Sequence, residues 1–155
     1  MIQRLSLVAT LAALIVLGHS RMSSAEPSSG VPGIWVFHVS ITGSDPCECN
    51  QILTLHPDGS LDGPGTDRFS GPVRGLWSKS GSKVTVTFVE NYFNKDGSAA
   101  GLYTIKGTLM LTGSTAGRGD SIFSLTSNAG KELASGAATF TANRLTLPPA
   151  ESAAH

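Results

Sequence analysis

The stretch KVTVTFVENYF, Lys83–Phe93, decides the fold, because it alternates from end to end. Val84, Val86, Phe88, Glu90 and Tyr92 fall in one phase; Thr85, Thr87, Val89, Asn91 and Phe93 fall in the other. Successive side chains of a strand point to opposite faces, so the first phase reads as the buried side of a β-strand. A carboxylate, Glu90, sits in that apolar phase. Two placements follow: the strand bends or bulges before Glu90 and carries it to a solvated rim, or the carboxylate is buried.

Six more β-rich runs accompany this one: Gly33–Thr42, Asn50–His56, Pro72–Lys79, Ala100–Thr112, Gly119–Ser127 and Lys131–Leu147. Between them lie PDGS (57–60), KSGS (79–82), NKDG (94–97), GSTAGRG (113–119) and NAGK (128–131). Their Gly, Asn and Asp residues supply the positive φ that tight hairpins need. No segment sustains apolar residues at i, i+3, i+4 and i+7 between caps, so no helix is expected. Seven or eight strands joined by hairpins predict an all-β domain. The expected form is a single antiparallel up-and-down barrel of about eight strands, since closure removes exposed sheet edges. The phases agree. Trp35, Phe37, Val39 and Ile41 share one face, as do Tyr103, Ile105, Gly107, Leu109 and Leu111. In the last run Ala134, Gly136, Ala138, Phe140, Ala142 and Arg144 share a face that is small apart from Phe140 and Arg144. Such a wall lets the opposite wall pack closely or leaves a cavity.

The 155 residues make one domain's worth of chain, and 40% of them are apolar. Arg4, the apolar run Leu5–Leu17 and the small exit Ser23-Ser24-Ala25 have the layout of a secretory signal peptide. The expected organisation is a signal at 1–25, a flexible lead at 26–32, the barrel at 33–147 and a disordered tail at 148–155. The mature chain is then expected to be exported, periplasmic or secreted. Losing Arg4 and Arg21 leaves 9 basic and 11 acidic side chains without a basic cluster. That balance argues against nucleic acid as a partner and against a membrane surface for the mature form.

Gly33-Ile34-Trp35 opens the first run, and Arg144 falls in the inward phase of the last. A closed meander makes those strands neighbours, so the guanidinium is expected to lie over the indole and plug one barrel end. With these residues the chain resembles the calycin superfamily, which includes lipocalins, fatty-acid-binding proteins and avidins. Its members carry G-x-W on the first strand and a late Arg or Lys packed on that Trp. RGLWSKSGSKVTVTF (74–88), together with NKDGSAAG and IKGTL, is also similar to small exported bacterial proteins described as lipocalin-like. The second lipocalin signature, T-D-Y, and the biotin-contacting set of avidin are not found. The resemblance implies a barrel with a small-molecule interior, in which Gly33, Trp35 and Arg144 are structural.

Phe37, Val39, Phe88, Glu90, Tyr92, Tyr103 and Phe140 are the expected lining of that interior. Glu90, desolvated, would have a raised pKa suited to acid–base work, and Tyr92 would point the same way and donate a hydrogen bond. Cys47 and Cys49, in SDPCECN, are expected to form a structural disulfide in an oxidising compartment. Their i, i+2 spacing sits at the limit for bridging, so a strained or intermolecular link stays open. Cys47, Cys49 and His56 do not have a conventional metal-ligand spacing, and neither metal nor cofactor is expected. His38 falls in the outward phase. GSTAG (113–117) lacks the central serine of a nucleophile elbow, and GRGD (117–120) is placed in a loop. Three functions remain: an exported barrel binding a small hydrophobic molecule; a cofactor-independent cyclase or isomerase using Glu90 and Tyr92; and an interaction or protease-inhibitor module acting through loops 43–50 or 113–120.

Overall fold

The computed structural model describes residues 30–41 and 47–146, without the side chain of Cys47. The expected signal, most of the lead, the tail and half of loop 43–50 lie outside the described residues. Eight strands follow in order: β1 (Gly33–Ile41), β2 (Cys47–Leu55), β3 (Ser60–Gly63), β4 (Val73–Ser80), β5 (Lys83–Phe93), β6 (Ala99–Leu111), β7 (Ala116–Ser127) and β8 (Glu132–Arg144). Each pairs antiparallel with the next, and β8 pairs with β1, so the meander closes into an up-and-down barrel. The expected fold class is the observed one.

Gly59, Gly81, Gly97 and Gly130 have positive φ, and each lies in one of the hairpin signals read from the sequence. β5 has the bounds that its alternation gives. Most other boundaries shift by one to three residues, and three differences matter. β2 begins at Cys47 rather than Asn50, and the four-residue β3 follows directly on PDGS. β7 begins at Ala116, inside the stretch read as a separator, so GRGD lies within a paired strand and not in a loop.

The two ends of the barrel are filled differently. At one end Trp35, Leu53, Leu55, Leu61, Trp77, Val84 and Leu109 converge into a core sealed from water. Trp35 is fully buried, and its indole Nε1 donates to the carbonyl of Val31 at 2.8 Å. Arg144 stands opposite Trp35 in the β1–β8 ladder, as the phases require. Its guanidinium donates to the carbonyls of Gly30 and Pro32 and packs against Gly33. The expected cation–π contact is therefore replaced by hydrogen bonds to the incoming chain; among the described residues the guanidinium over a ring is Arg68 on Phe69. Backbone carbonyls at a barrel end offer this cation stronger partners than an indole face.

The other end carries the hairpins after β5 and β7 and the long connection from β3 to β4. Here β7 and β8 present Ser121, Ala134, Gly136 and Ala138 to the interior, small side chains that stand beside the larger Phe123. This half stays open.

Candidate functional site

The open half holds a cavity of about 440 Å³. Its apolar wall comes from Phe37, Val39, Leu53, Val86, Phe88, Ile105, Phe123, Ala138 and Phe140. Phe37 and Phe140 meet edge to face with centroids 5.3 Å apart. Its polar corner comes from Gln51 on β2, Glu90 on β5, and Thr66, Asp67 and Ser70 on the β3–β4 connection.

That connection, Pro64–Pro72, is a strap. β3 pairs with β2 only at Thr54 and Leu55, which leaves the rest of β2 without a neighbouring strand on that side. The strap crosses there. Gly71 donates its N–H to the carbonyl of Asn91 at 2.7 Å, and Phe93 donates to the carbonyl of Phe69 at 2.8 Å, so its second half extends the ladder on β5. Asp67 folds the turn by accepting from the Phe69 N–H at 2.7 Å and the Ser70 hydroxyl at 3.2 Å.

Glu90 latches the strap's first half. It is only 4% exposed and accepts from the Thr66 N–H at 3.1 Å; Thr66 Oγ1 stands 2.8 Å from its Oε1. The same Oγ1 stands 2.5 Å from Oε1 of Gln51, itself 5% exposed. Gln51 Nε2 donates to the carbonyl of Pro64 at 3.1 Å, which fixes the orientation of its amide. A hydroxyl carries one hydrogen, yet Thr66 Oγ1 faces acceptors on both sides. Both contacts are satisfied when the Glu90 carboxyl holds a proton: Glu90 donates to Thr66, and Thr66 donates to Gln51. The electrostatics agree. Burial pushes the Glu90 pKa up, the nearby Asp67 charge pushes it further, and the hydrogen bonds from Thr66 and Ser70 pull it back only in part.

Of the two placements open for Glu90, the buried one holds. The β5–β6 ladder does shift register, with Ala100 of β6 as the extra residue, but between Tyr92 and Phe93, after Glu90, which keeps its inward phase opposite Tyr103. Phe37, Val39, Phe88, Glu90, Tyr103 and Phe140 are brought together around the cavity; Tyr92 is not among its lining. Tyr92 forms the last pair before that shift and is half-buried at the rim. Its ring packs edge to face on Tyr103 at 5.2 Å and lies 6.4 Å from Phe69. It is a positioning contact for Tyr103 and the strap.

Sequence reasoning missed Gln51, Thr66 and Phe123. Gln51 had a readable signal, a polar residue in the phase of Leu53 and Leu55. Thr66 had none, since its partners are 15 and 24 residues away. Cys49 lines the cavity, while the side chain of Cys47 lies outside the described residues. His56 lies past the opposite end of the nine-residue β2, about 30 Å from Cys47, and pairs with Asp62 at 3.1 Å. It cannot join those cysteines around a metal. No group of metal-ligating side chains occurs among the described residues.

The class that fold and site define is a closed eight-stranded antiparallel barrel with one filled and one hollow end, compatible with the calycin fold. Comparison of the chain with family models, with curated proteins and with solved structures finds no match.

Proposed function

We propose that this chain is an exported, calycin-like barrel that binds a small, largely apolar molecule in its open half. The observation that carries the reading is the cavity of about 440 Å³, apolar over most of its lining, with Glu90, Gln51 and Thr66 grouped as its polar corner. Sites for small molecules have this size and composition, with a few polar groups fixing orientation in an apolar pocket. Export is supported by the layout of residues 1–25, and an oxidising compartment would keep Cys47 and Cys49 joined. Native mass spectrometry of the protein from its own host tests all of this. The expected result is a chain beginning at Glu26, lighter by a disulfide's hydrogens, carrying a small molecule that is lost on denaturation. A bare chain that also takes up no apolar probe would overturn the binding reading.

A second reading rests on Glu90 itself. A desolvated carboxyl with a raised pKa in a cavity suits proton transfer, and a shaped barrel can fold a flexible substrate by proximity alone. In that case Tyr103, not Tyr92, is the phenol within the cavity. Substituting Glu90→Gln would then abolish turnover of any substrate found, and unchanged turnover would remove this reading.

A further inference from the structure

We propose that the cavity selects its ligand by charge, accepting a neutral or cationic amphiphile whose hydrogen-bond donor faces Glu90 and rejecting an anionic one. This rests on the binding reading above and narrows it to a ligand class.

The first support is the distribution of charge. Two carboxylates, Glu90 and Asp67, line the cavity, and among the described residues its lining includes no Arg, Lys or His. Arg68, Lys95 and Lys131 belong to the strap and hairpins at this end, but all are exposed and outside the lining, and Arg68 is stacked on Phe69. A carboxylate or phosphate entering here would shed its water and meet no cation, a loss that mutual attraction does not repair.

The second support is the bonding capacity of Glu90. Its two oxygens offer about four lone-pair directions, and the strap uses those facing Thr66 and Ser70. A ligand hydroxyl or ammonium can donate to what remains. For an ammonium the charge balances by exchange: Glu90 gives up the proton it shares with Thr66 to solvent, and the ligand cation takes its place beside the carboxylate. The Thr66 hydroxyl then turns from Gln51 to Glu90.

The groups that face this exchange are few. The strap contributes Asp67, whose charge favours the protonated carboxyl; β6 contributes Tyr103 directly across the ladder; β5 contributes Tyr92 two residues on. From β2 the neighbour is Gln51, which does not titrate, together with Cys49 on the cavity wall. Arg74 of β4 is exposed and donates to the carbonyl of Val73.

The test uses three probes with the same fluorescent ring system: 1-pyrenemethylamine, 1-pyrenemethanol and 1-pyrenecarboxylate, titrated into the full mature chain near neutral pH. The amine and the alcohol are expected to bind saturably, and the carboxylate at least about a hundredfold more weakly. The amine's affinity should rise as pH increases above 4.5, the ordinary glutamate value, while the alcohol's stays flat. In Glu90→Gln the ratio of amine to alcohol affinity should fall by about tenfold or more. If that variant does not fold, the pH series on the unaltered protein decides. A carboxylate that binds as well as the alcohol, or an amine whose affinity ignores pH, overturns charge selection and leaves the binding reading standing. If none of the three binds, the binding reading falls, and charge selection falls with it.

Discussion

The filled and hollow ends of this barrel are made by the same strands. At the filled end the inward phases carry Trp35, Leu53, Leu55, Leu61, Trp77 and Leu109, which reach one another across the axis. Along β7 and β8 the same phases run on to Ser121, Gly136 and Ala138, with Phe123 the larger side chain among them, and a cavity remains in front of them. Strand pairing is continuous from one end to the other. What changes is side-chain volume, so the cavity is a decision of composition rather than of topology. The ends also differ in how they are closed: Arg144 ties the incoming chain to the filled end, while a hydrogen-bonded strap, not a plug, borders the hollow one.

Four substitutions or titrations bear on that difference. Trp35→Ala should cost about 3–5 kcal/mol, because it empties the centre of the filled end and leaves the Val31 carbonyl unpaired. Urea denaturation checks it, and a loss under about 1 kcal/mol would mean that the filled end is not the stabilising one. Gly33→Ala should cost about 1–3 kcal/mol, since φ there is +141° and a Cβ would stand 2.7 Å from Arg144 Nε. The same denaturation curves report it.

Thr66→Val should cost about 1–2 kcal/mol, by removing the hydroxyl between Gln51 and Glu90. Hydrogen exchange should then quicken at residues 64–72 and not in β1, β2 or β8. Equal quickening throughout would mean that the strap is not a separate element. The smallest effect is a pH dependence. Burial raises the Glu90 pKa, so the folded chain holds this proton more firmly than the unfolded one. The stability it contributes is full below 4.5 and is lost as pH rises through the folded-state value. Measured against Glu90→Gln, the unaltered protein should therefore lose stability with rising pH, and parallel pH curves would contradict a buried, protonated carboxyl.

Much of the filled end and most of the cavity's apolar wall were legible in the sequence; the strap and its latch on Glu90 were not. Alternation in Lys83–Phe93 and Gly33–Ile41 reports burial on one face, and Asp-Gly and Asn-x-Gly report turns, because both are local effects. β3 escaped notice because four residues between a turn and Pro64 cannot show a period. The start of β7 was hidden because Gly117 and Gly119 read as turn residues. They are strand residues pressed against β6: a Cβ on Gly117 would meet Leu109 at 2.6 Å, and one on Gly119 would meet the Thr108 carbonyl. The strap left no trace at all. Its register is set by Gln51, Glu90 and the Asn91 carbonyl, contacts between segments that only closure of the barrel brings together. Glu90 was visible as an anomaly, and its resolution depended on where one bulge fell.

The central claim is that the hollow end binds a small apolar molecule. It is tested most directly by titrating 1-pyrenemethanol into the unaltered protein and into Ala138→Phe. Ala138 lines the cavity between Ile41 and Ser121, and a phenyl ring there would fill part of the space a ligand needs, at a cost of about 1–3 kcal/mol in stability. The account predicts saturable one-to-one binding by the unaltered barrel and its loss in a variant that is still folded. Equal binding by both, or by neither, would contradict it.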